Sequence, residues 1–446
     1  MIQRESGEIV STYTEWNTEI DEPWNRFKNY LMVVDNNVEI LSKTPILHDI
    51  TYSFGYSGLI HEETDDSYIL YGSWQDSAMY FASDWPDAFL SKVSNEGEVL
   101  WERHYPNTFG VWHVIRAMDG GYWVMANEAN GYCDFNITEI NDDLVIIKVD
   151  EQGFEESRIQ LGGPCASEAA WAIETEPDHI IVASRFTFDE QDENYEFHGS
   201  VITMEIEQAG ENGPLLELSE TRKTYLPCQM IGYVADFFRV DDGYLISGFT
   251  NREEIFNNGG QQVGFILKLN EDRDSVWSRF YSHYGATSGT AWGGPRHWLW
   301  DSKITSDGGL VCCGELQQSV YNPVPSLLTP WLFKTDSLGC IEPGCQFVNV
   351  EEITIGLEQS MTVYPNPARD RTTIRFELPE DFSIPDQSEW VMIDMQGREV
   401  KRQLLSRSDI QLRELPMDLT SVKPGMYQIH WVSGTVWLDS VKVVVE

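Results

Sequence analysis

The chain is a succession of short apolar runs separated by tight polar turns, and apolar residues nowhere recur at helical spacing over a useful length. Tyr30-Leu31-Met32-Val33-Val34 runs into Asp35-Asn36-Asn37 and then Val38-Glu39-Ile40-Leu41, a strand, a turn and a strand. The same hairpin pattern returns as AFLSKVSNEGEVLWERHY from Ala88, LVIIKVDEQGFEESRIQL from Leu144 and FILKLNEDRDSVWSRFY from Phe265. A longer-looped version starts at Val201 and a shortened one at Trp331. Each copy after the first is preceded by a second unit: DDSYILYGS (Asp65), DGGYWVMAN (Asp119), PDHIIVAS (Pro177), DDGYLISGF (Asp241) or SDGGLVCCG (Ser306). Asp and Gly supply the turn, and the apolar run that follows reads as a buried strand. A further strand, such as VWHVIRAM or VADFFRV, leads into each turn.

About four short strands per unit, repeating every ~55–65 residues, is the pattern of β-propeller blades with long loops. One blade cannot bury both of its faces, so neighbouring blades must supply the core. The expected fold is all-β, with a propeller of six blades, five or seven remaining open. The N-terminal hairpin has no evident first half and is expected to complete the last blade. From about Gln346 the pattern changes to alternating strands with Asn-Pro, Gln-Gly, Pro-Gly and Ser-Gly turns, which predicts a compact β-sandwich of ~90 residues. The division is therefore a repeat region at 1–348, a linker at 349–358 and a sandwich at 359–446.

The formal net charge is −42, which repels phosphate backbones and argues against a nucleic-acid partner. The excess acid reads as a solubilising surface, and no calcium-loop motif gives it a metal-binding meaning. No apolar run is long enough for a transmembrane helix. Of the seven cysteines, Cys340 and Cys345 are close enough in LGCIEPGC to close a small disulfide loop, and Cys133, Cys165, Cys228, Cys312 and Cys313 are scattered. Adjacent Cys312 and Cys313 should face opposite sides of a strand. Zinc spacing is absent. Neither a metal nor a cofactor is expected.

The C-terminal segment contains Val363-Tyr364-Pro365-Asn366-Pro367-Ala368 and the strand Thr372-Thr373-Ile374-Arg375-Phe376. Ile393-Asp394-Met395-Gln396-Gly397-Arg398, Lys423-Pro424-Gly425-Met426-Tyr427 and Lys442-Val443-Val444-Val445 follow in that order. This ordered set resembles the type A sorting domain of the type IX secretion system of Bacteroidota. The resemblance implies an Ig-like sandwich read by the outer-membrane translocon. It also implies cleavage during export, with release or attachment to surface lipopolysaccharide, and so a secreted or surface location. Tyr364, Pro365, Asn366, Pro367, Gly397, Gly425, Tyr427 and Lys442 carry the motif. Such cargo also needs an N-terminal export signal, whereas MIQRESGEIVSTYTEW is polar and has no apolar core. A truncated or misassigned start is the expectation. The repeats are similar to propeller-like repeats that accompany this domain, through Asp242-Gly243-Tyr244, Gly248, Phe265 to Lys268, Trp277 and Trp101.

No nucleophile-elbow, zincin, phosphate-loop or dinucleotide motif is present, so no catalytic residue is named. Candidates for ligand contact come from blade position. Aligning the turn motifs brings Trp112, His113, Trp171, Asp236, Trp300 and Asp301 to similar places on first strands. Aromatic rings beside carboxylates suit sugars or peptide side chains, although the same Trp residues would also serve as packing between blades. Trp292, Trp298 and Trp300 with Gly293-Gly294-Pro295 make the densest aromatic loop. The expected function is a non-catalytic glycan- or protein-binding module. The alternatives are a glycan-active hydrolase using channel carboxylates and a structural envelope repeat protein. Two carboxylates ~5–9.5 Å apart in a cleft would mark the hydrolase.

Overall fold

A computed structural model describes residues 2–446 apart from 17–26, 47–52, 75–86, 162–169, 186–199, 210–214, 227–229, 253–260, 284–295, 319–326 and 349–351 and the positions 5, 36, 38, 63, 134–135, 343, 358, 380–381 and 386–387. The chain divides into two compact units, Met1–Tyr225 and Leu226–Glu446.

In the first unit, four antiparallel sheets follow one another, each a four-strand meander. They are β1 (Ile2–Gln3), β2 (Ile9–Trp16), β3 (Phe27–Val34) and β4 (Ile40–Pro45); β5 (Ser53–Glu62), β6 (Ser67–Trp74), β7 (Asp87–Ser94) and β8 (Val99–Tyr105); β9 (Thr108–Arg116), β10 (Tyr122–Cys133), β11 (Asn136–Val149) and β12 (Glu155–Leu161); and β13 (Ala170–Glu176), β14 (His179–Arg185), β15 (Ser200–Ala209) and β16 (Leu215–Tyr225). The second unit repeats the meander with β17 (Met230–Val240), β18 (Gly243–Arg252), β19 (Gln261–Leu269) and β20 (Ser275–His283). A three-strand version follows in β21 (Arg296–Ile304), β22 (Leu310–Gln318) and β23 (Leu327–Thr335). These are sheets of propeller-blade type. One expectation is corrected: the N-terminal hairpin does not lack a first half. Its strands β3 and β4 pair with β2, and β2 with β1, so the N-terminus builds a sheet of its own.

Middle strands are buried on both faces and outer strands on one. Leu144 to Val149 in β11 is buried throughout, whereas in β12 only Ser157 is buried. The continuous apolar runs in the sequence follow from this, because within each unit a sheet packs face to face on the next. Ile69, Leu90, Val124 and Ile147 form one such seam, and Trp123, Ile146, Val182 and Met204 form another.

The recurring letters have structural jobs. In four of the five turns the Asp pairs with a Lys on the third strand: Asp65 with Lys92 at 2.6 Å, Asp119 with Lys148 at 2.7 Å, and Asp242 with Lys268 and Asp307 with Lys334 likewise; Asp178 instead meets Lys148 of the preceding sheet at 3.3 Å. The hairpin turns are closed by an Asx turn. Asp150 Oδ1 accepts the amides of Gln152 and Phe154, and Asp336 does the same for Leu338 and Cys340. The next sheet's turn glycine is the landing point for a Trp and a Tyr. Tyr105 donates to the Gly153 carbonyl at 2.8 Å, and Tyr281 donates to that of Gly339 at 2.7 Å. A Cβ on Gly153 would strike Trp101, and one on Gly339 would strike Trp277.

Past β23 come a disulfide between Cys340 and Cys345, a 3-10 turn at Cys345–Val348 and strand β24 (Glu352–Ile355). The C-terminal sandwich has one sheet of β25 (Met361–Tyr364), β26 (Arg371–Phe376) and β29 (Glu414–Asp418). Its other sheet holds β27 (Ser388–Asp394), β28 (Glu399–Leu405), β30 (Gly425–Ser433) and β31 (Val436–Val445), and the short helix α1 (Arg407–Gln411) links β28 to β29. Trp390, Trp431, Ile374 and Phe376 fill the space between the sheets.

Candidate functional site

Ladder register places the candidate residues within their sheets. On the second strand of each repeat, Tyr71, Met125, Ala183, Ser247 and Cys313 are equivalent, counted from the turn. Their first-strand partners are Gly58, His113, Trp171, Asp236 and Asp301. His113, Trp171, Asp236 and Asp301 therefore share one register position, while Trp112 and Trp300 stand one residue earlier.

That position is shaped by a bulge. In β17 the register jumps between Val234 and Asp236, and in β21 between Leu299 and Asp301. An extra residue makes the strand bend toward its neighbour. The neighbour is a glycine each time: a Cβ on Gly248 would lie 2.0 Å from the Tyr233 carbonyl, and one on Gly314 would lie 1.8 Å from that of Trp298. In these two sheets the glycine after the apolar run is thus the mark of a bulge on the strand beside it. Trp300 is the bulged residue of β21.

In the first unit, His113 stacks on Trp171 with ring centroids 5.6 Å apart, and its Nδ1 accepts the Ala172 amide at 3.3 Å. Trp112 Nε1 donates to Asn127 Oδ1, on a side chain that is buried. Both contacts tie strands together, so these rings act at least in part as packing.

The second unit holds the richer cluster. Trp300 lies 5.5 Å from Tyr233, 5.7 Å from Phe249 and 5.4 Å from Trp298, edge to face in each case, and is 40% exposed. Trp298 donates from Nε1 to Gln262 Oε1 at 2.6 Å, and the Arg296 guanidinium sits 5.0 Å above its ring. Beside these rings Lys303 bridges Asp236 at 3.0 Å and Asp301 at 3.2 Å. Asp236 is buried, whereas Lys303 and Asp301 are exposed. Burial lifts the Asp236 carboxyl to about 7, against the pull of Lys303, and a hydrogen bond with Asp301 helps hold its proton. The Lys303 pKa is also raised, which for an ammonium favours the charged form. Its own desolvation is outweighed by the two carboxylates. At Asp236 burial prevails, because it is the partner withdrawn from water. Cys313, opposite Asp301 in the ladder, is exposed, and neighbouring Cys312 is buried. Trp292, Gly293, Gly294 and Pro295 lie outside the described residues, as do Cys165 and Cys228.

Lys303, Tyr233 and Phe249 escaped the reading of the sequence. Lys303 could have been found from its place two residues after Asp301, on the same strand face. Tyr233 and Phe249 have no sequence signal until the bulge sets the register.

At the C-terminus the motif residues gather on one edge. The Asn366 side chain donates to the Lys442 carbonyl at 2.7 Å and accepts the Val444 amide at 2.9 Å. Thr372 donates to the Pro365 carbonyl at 2.9 Å, and the Ala368 amide donates to the Val444 carbonyl at 2.8 Å. The Tyr364–Pro365 and Asn366–Pro367 peptides are cis. Gly397 takes a φ of 77° in an Asx turn closed by Asp394, and Tyr427 donates to the Lys423 carbonyl at 2.7 Å. Gly425 opens β30, and a Cβ there would lie 3.4 Å from the Tyr427 ring. The first motif is thereby clipped to the last strand. Residues 362–446 are a secretion system C-terminal sorting domain. The sorting domain marks the chain for the type IX secretion machinery and for delivery to or through the outer-membrane surface. Among the described residues no helix is long and apolar enough to cross a membrane.

No curated protein matches the chain. Among solved structures it is similar to a protein of unknown function from Bacteroides caccae, at 12% identity and a TM-score of 0.38, over 75% of this chain and 90% of that one. It is also similar to the NanB sialidase of Streptococcus pneumoniae, at 10% identity and a TM-score of 0.39, over 76% and 68%. A GH32 β-fructofuranosidase from Bombyx mori is similar at 9% identity and a TM-score of 0.34, over 100% and 85%.

Proposed function

We propose that the chain is an exported protein whose repeat region, 1–348, is a non-catalytic module that binds a glycan or a protein at the cell surface, joined through 349–358 to the sorting portion at 359–446. The observation that carries the reading is Trp300: a bulged aromatic, part exposed, held by three other rings beside a carboxyl pair. A rigid ring with polar groups at its edge suits stacking against a sugar face or a peptide side chain. The carboxyl pair speaks against hydrolysis. Lys303 Nζ lies 3.0 Å from Asp236 and 3.2 Å from Asp301, so an ammonium holds the place between the carboxyls that glycoside hydrolysis needs for substrate or water.

The test is the full chain on glycan and peptide arrays, beside Trp300→Ala. A ligand lost in a variant that still melts cooperatively supports the reading. Undiminished binding removes Trp300 from the site, and loss of cooperative melting assigns it to packing. Hydrolysis of a chromogenic glycoside that Asp236→Asn abolishes would overturn the non-catalytic assignment. For export, deleting 357–446 from a chain given an export signal should leave it in the periplasm of a native host.

A further inference from the structure

The sorting domain is joined to the last two repeats by more than a tether. Strand β24 pairs in parallel with β20 through Phe280 to His283 and with β31 through Val436 and Trp437. One sheet therefore runs from the fifth repeat into the sandwich. Beneath it lies a shared apolar cluster. Tyr281, Leu310 and Phe333 come from the repeats, and Val391, Ile393, Val432 and Trp437 from the sandwich. Cys340, Cys345 and Ile353 stand between them, and both cysteines are completely buried.

The loop closed by these cysteines is fitted to the sandwich. Its repeat end is fixed, because the Cys340 amide donates to Asp336 and Tyr281 holds the Gly339 carbonyl. Its far end meets β27 and β30. Gly344 has a φ of 103°, and a Cβ there would lie 2.8 Å from Ile393 Cδ1 and 3.0 Å from His430 Nε2. His430 is fully buried and accepts the Trp437 indole N–H at Nδ1, which leaves the ring proton on Nε2, facing the loop. That Nε2 has no hydrogen-bond partner among the described residues. A buried donor without an acceptor costs stability that water would restore, so this seam is closed at some expense and can be opened.

We propose that the Cys340–Cys345 loop is a redox latch that holds the sorting domain against the last two repeats, with a dithiol as the reagent that opens it. In the step, a thiolate of the dithiol attacks one buried sulfur and forms a mixed disulfide. The second thiolate closes the dithiol's own disulfide, and its two electrons, with two protons, leave Cys340 and Cys345 as thiols. Neither sulfur is accessible while the domain is docked, so the seam must part before attack. The coupling is reciprocal: docking shields the disulfide, and loss of the disulfide frees the loop and raises the entropy that docking has to overcome.

The experiment uses the full chain with dithiothreitol, following Cys340 and Cys345 by alkylation and mass spectrometry and backbone amides by hydrogen exchange. As the pair is reduced, amides at 344–348 and 352–355 should exchange about tenfold faster or more, while those at 144–149 and 390–392 keep their protection. Gly344→Val, which forces the loop off Ile393 and His430, should speed reduction of this pair by about tenfold at the same dithiol concentration. Complete reduction with no change at 352–355, simultaneous loss of protection at 144–149, or a wild-type reduction rate in Gly344→Val would each overturn the latch.

Discussion

Asp236 and Asp301 occupy the same register position in neighbouring sheets, and Lys303 binds both. The shared position gives each carboxyl a different environment. Asp301 stays in water, and Asp236 is buried with its pKa raised to about 7. A carboxyl whose folded pKa is raised holds its proton more tightly in the folded state. Its stabilisation is complete below the ordinary carboxylate range and is lost as pH rises through about 7. Asp236 should therefore contribute a fall in the urea stability of the second unit between about pH 4 and 7. Asp236→Asn should remove that contribution and leave stability rising more steeply with pH over the same window. An unchanged slope in the variant would mean that Asp236 is ionised throughout.

Trp300 and Gly314 make a second contrast. Trp300 is the bulged residue and part exposed, whereas Gly314 accommodates the displaced strand with no room for a Cβ. Gly314→Ala should cost roughly 2–3 kcal/mol through steric overlap with backbone. Trp300→Ala should cost about 1 kcal/mol, as for a part-exposed side chain. Denaturant melts of the two variants decide the matter, and equal losses would show that Trp300 is core.

The repeat pattern was legible because its letters serve local needs. The Asp of four turns meets a Lys on the same sheet, the turn glycine takes a positive φ, and the Trp and Tyr of the last strand meet the next turn. These spacings are fixed along one chain segment. The sorting motif was legible for the same reason, since Asn366 and Gly397 answer to fixed backbone partners. Tyr233 and Phe249 were not legible, because they reach Trp300 across a seam between sheets and past a bulge that shifts register, whereas Lys303 follows Asp301 by two residues on one strand and was legible but passed over. The N-terminal sheet was missed because β1 is only two residues long and β2 mixes apolar with polar positions. Strand β24 gave no signal, as four residues within an expected linker carry no periodicity of their own.

Two buried histidines predict the opposite pH response over an overlapping window, and together they outweigh the single carboxyl. Burial lowers both His297 and His430 to about 4, and each sits in the second unit. A histidine whose folded pKa is depressed is protonated more readily when unfolded. Stability present above its ordinary range near 6.5 is lost as pH falls toward about 4. Melts of the second unit should weaken over that window. His430→Gln should reduce the dependence, and a slope identical to wild type would show that His430 is already hydrated in the folded state.

The sorting motif separates into residues that hold the fold and one that faces outward. Asn366 makes two backbone hydrogen bonds to β31, whereas Tyr364, two residues earlier, is 80% exposed. Asn366→Ala removes both bonds and should destabilise the sandwich by roughly 1–2 kcal/mol, seen as faster hydrogen exchange at 442–446. Tyr364→Ala should leave stability within about 0.5 kcal/mol of wild type. Its exposed ring is then available to the secretion machinery, so export should fall in Tyr364→Ala although the domain remains folded. Full export from that variant would show that the ring is not read. Destabilisation equal to that of Asn366→Ala would show instead that the ring is part of the fold.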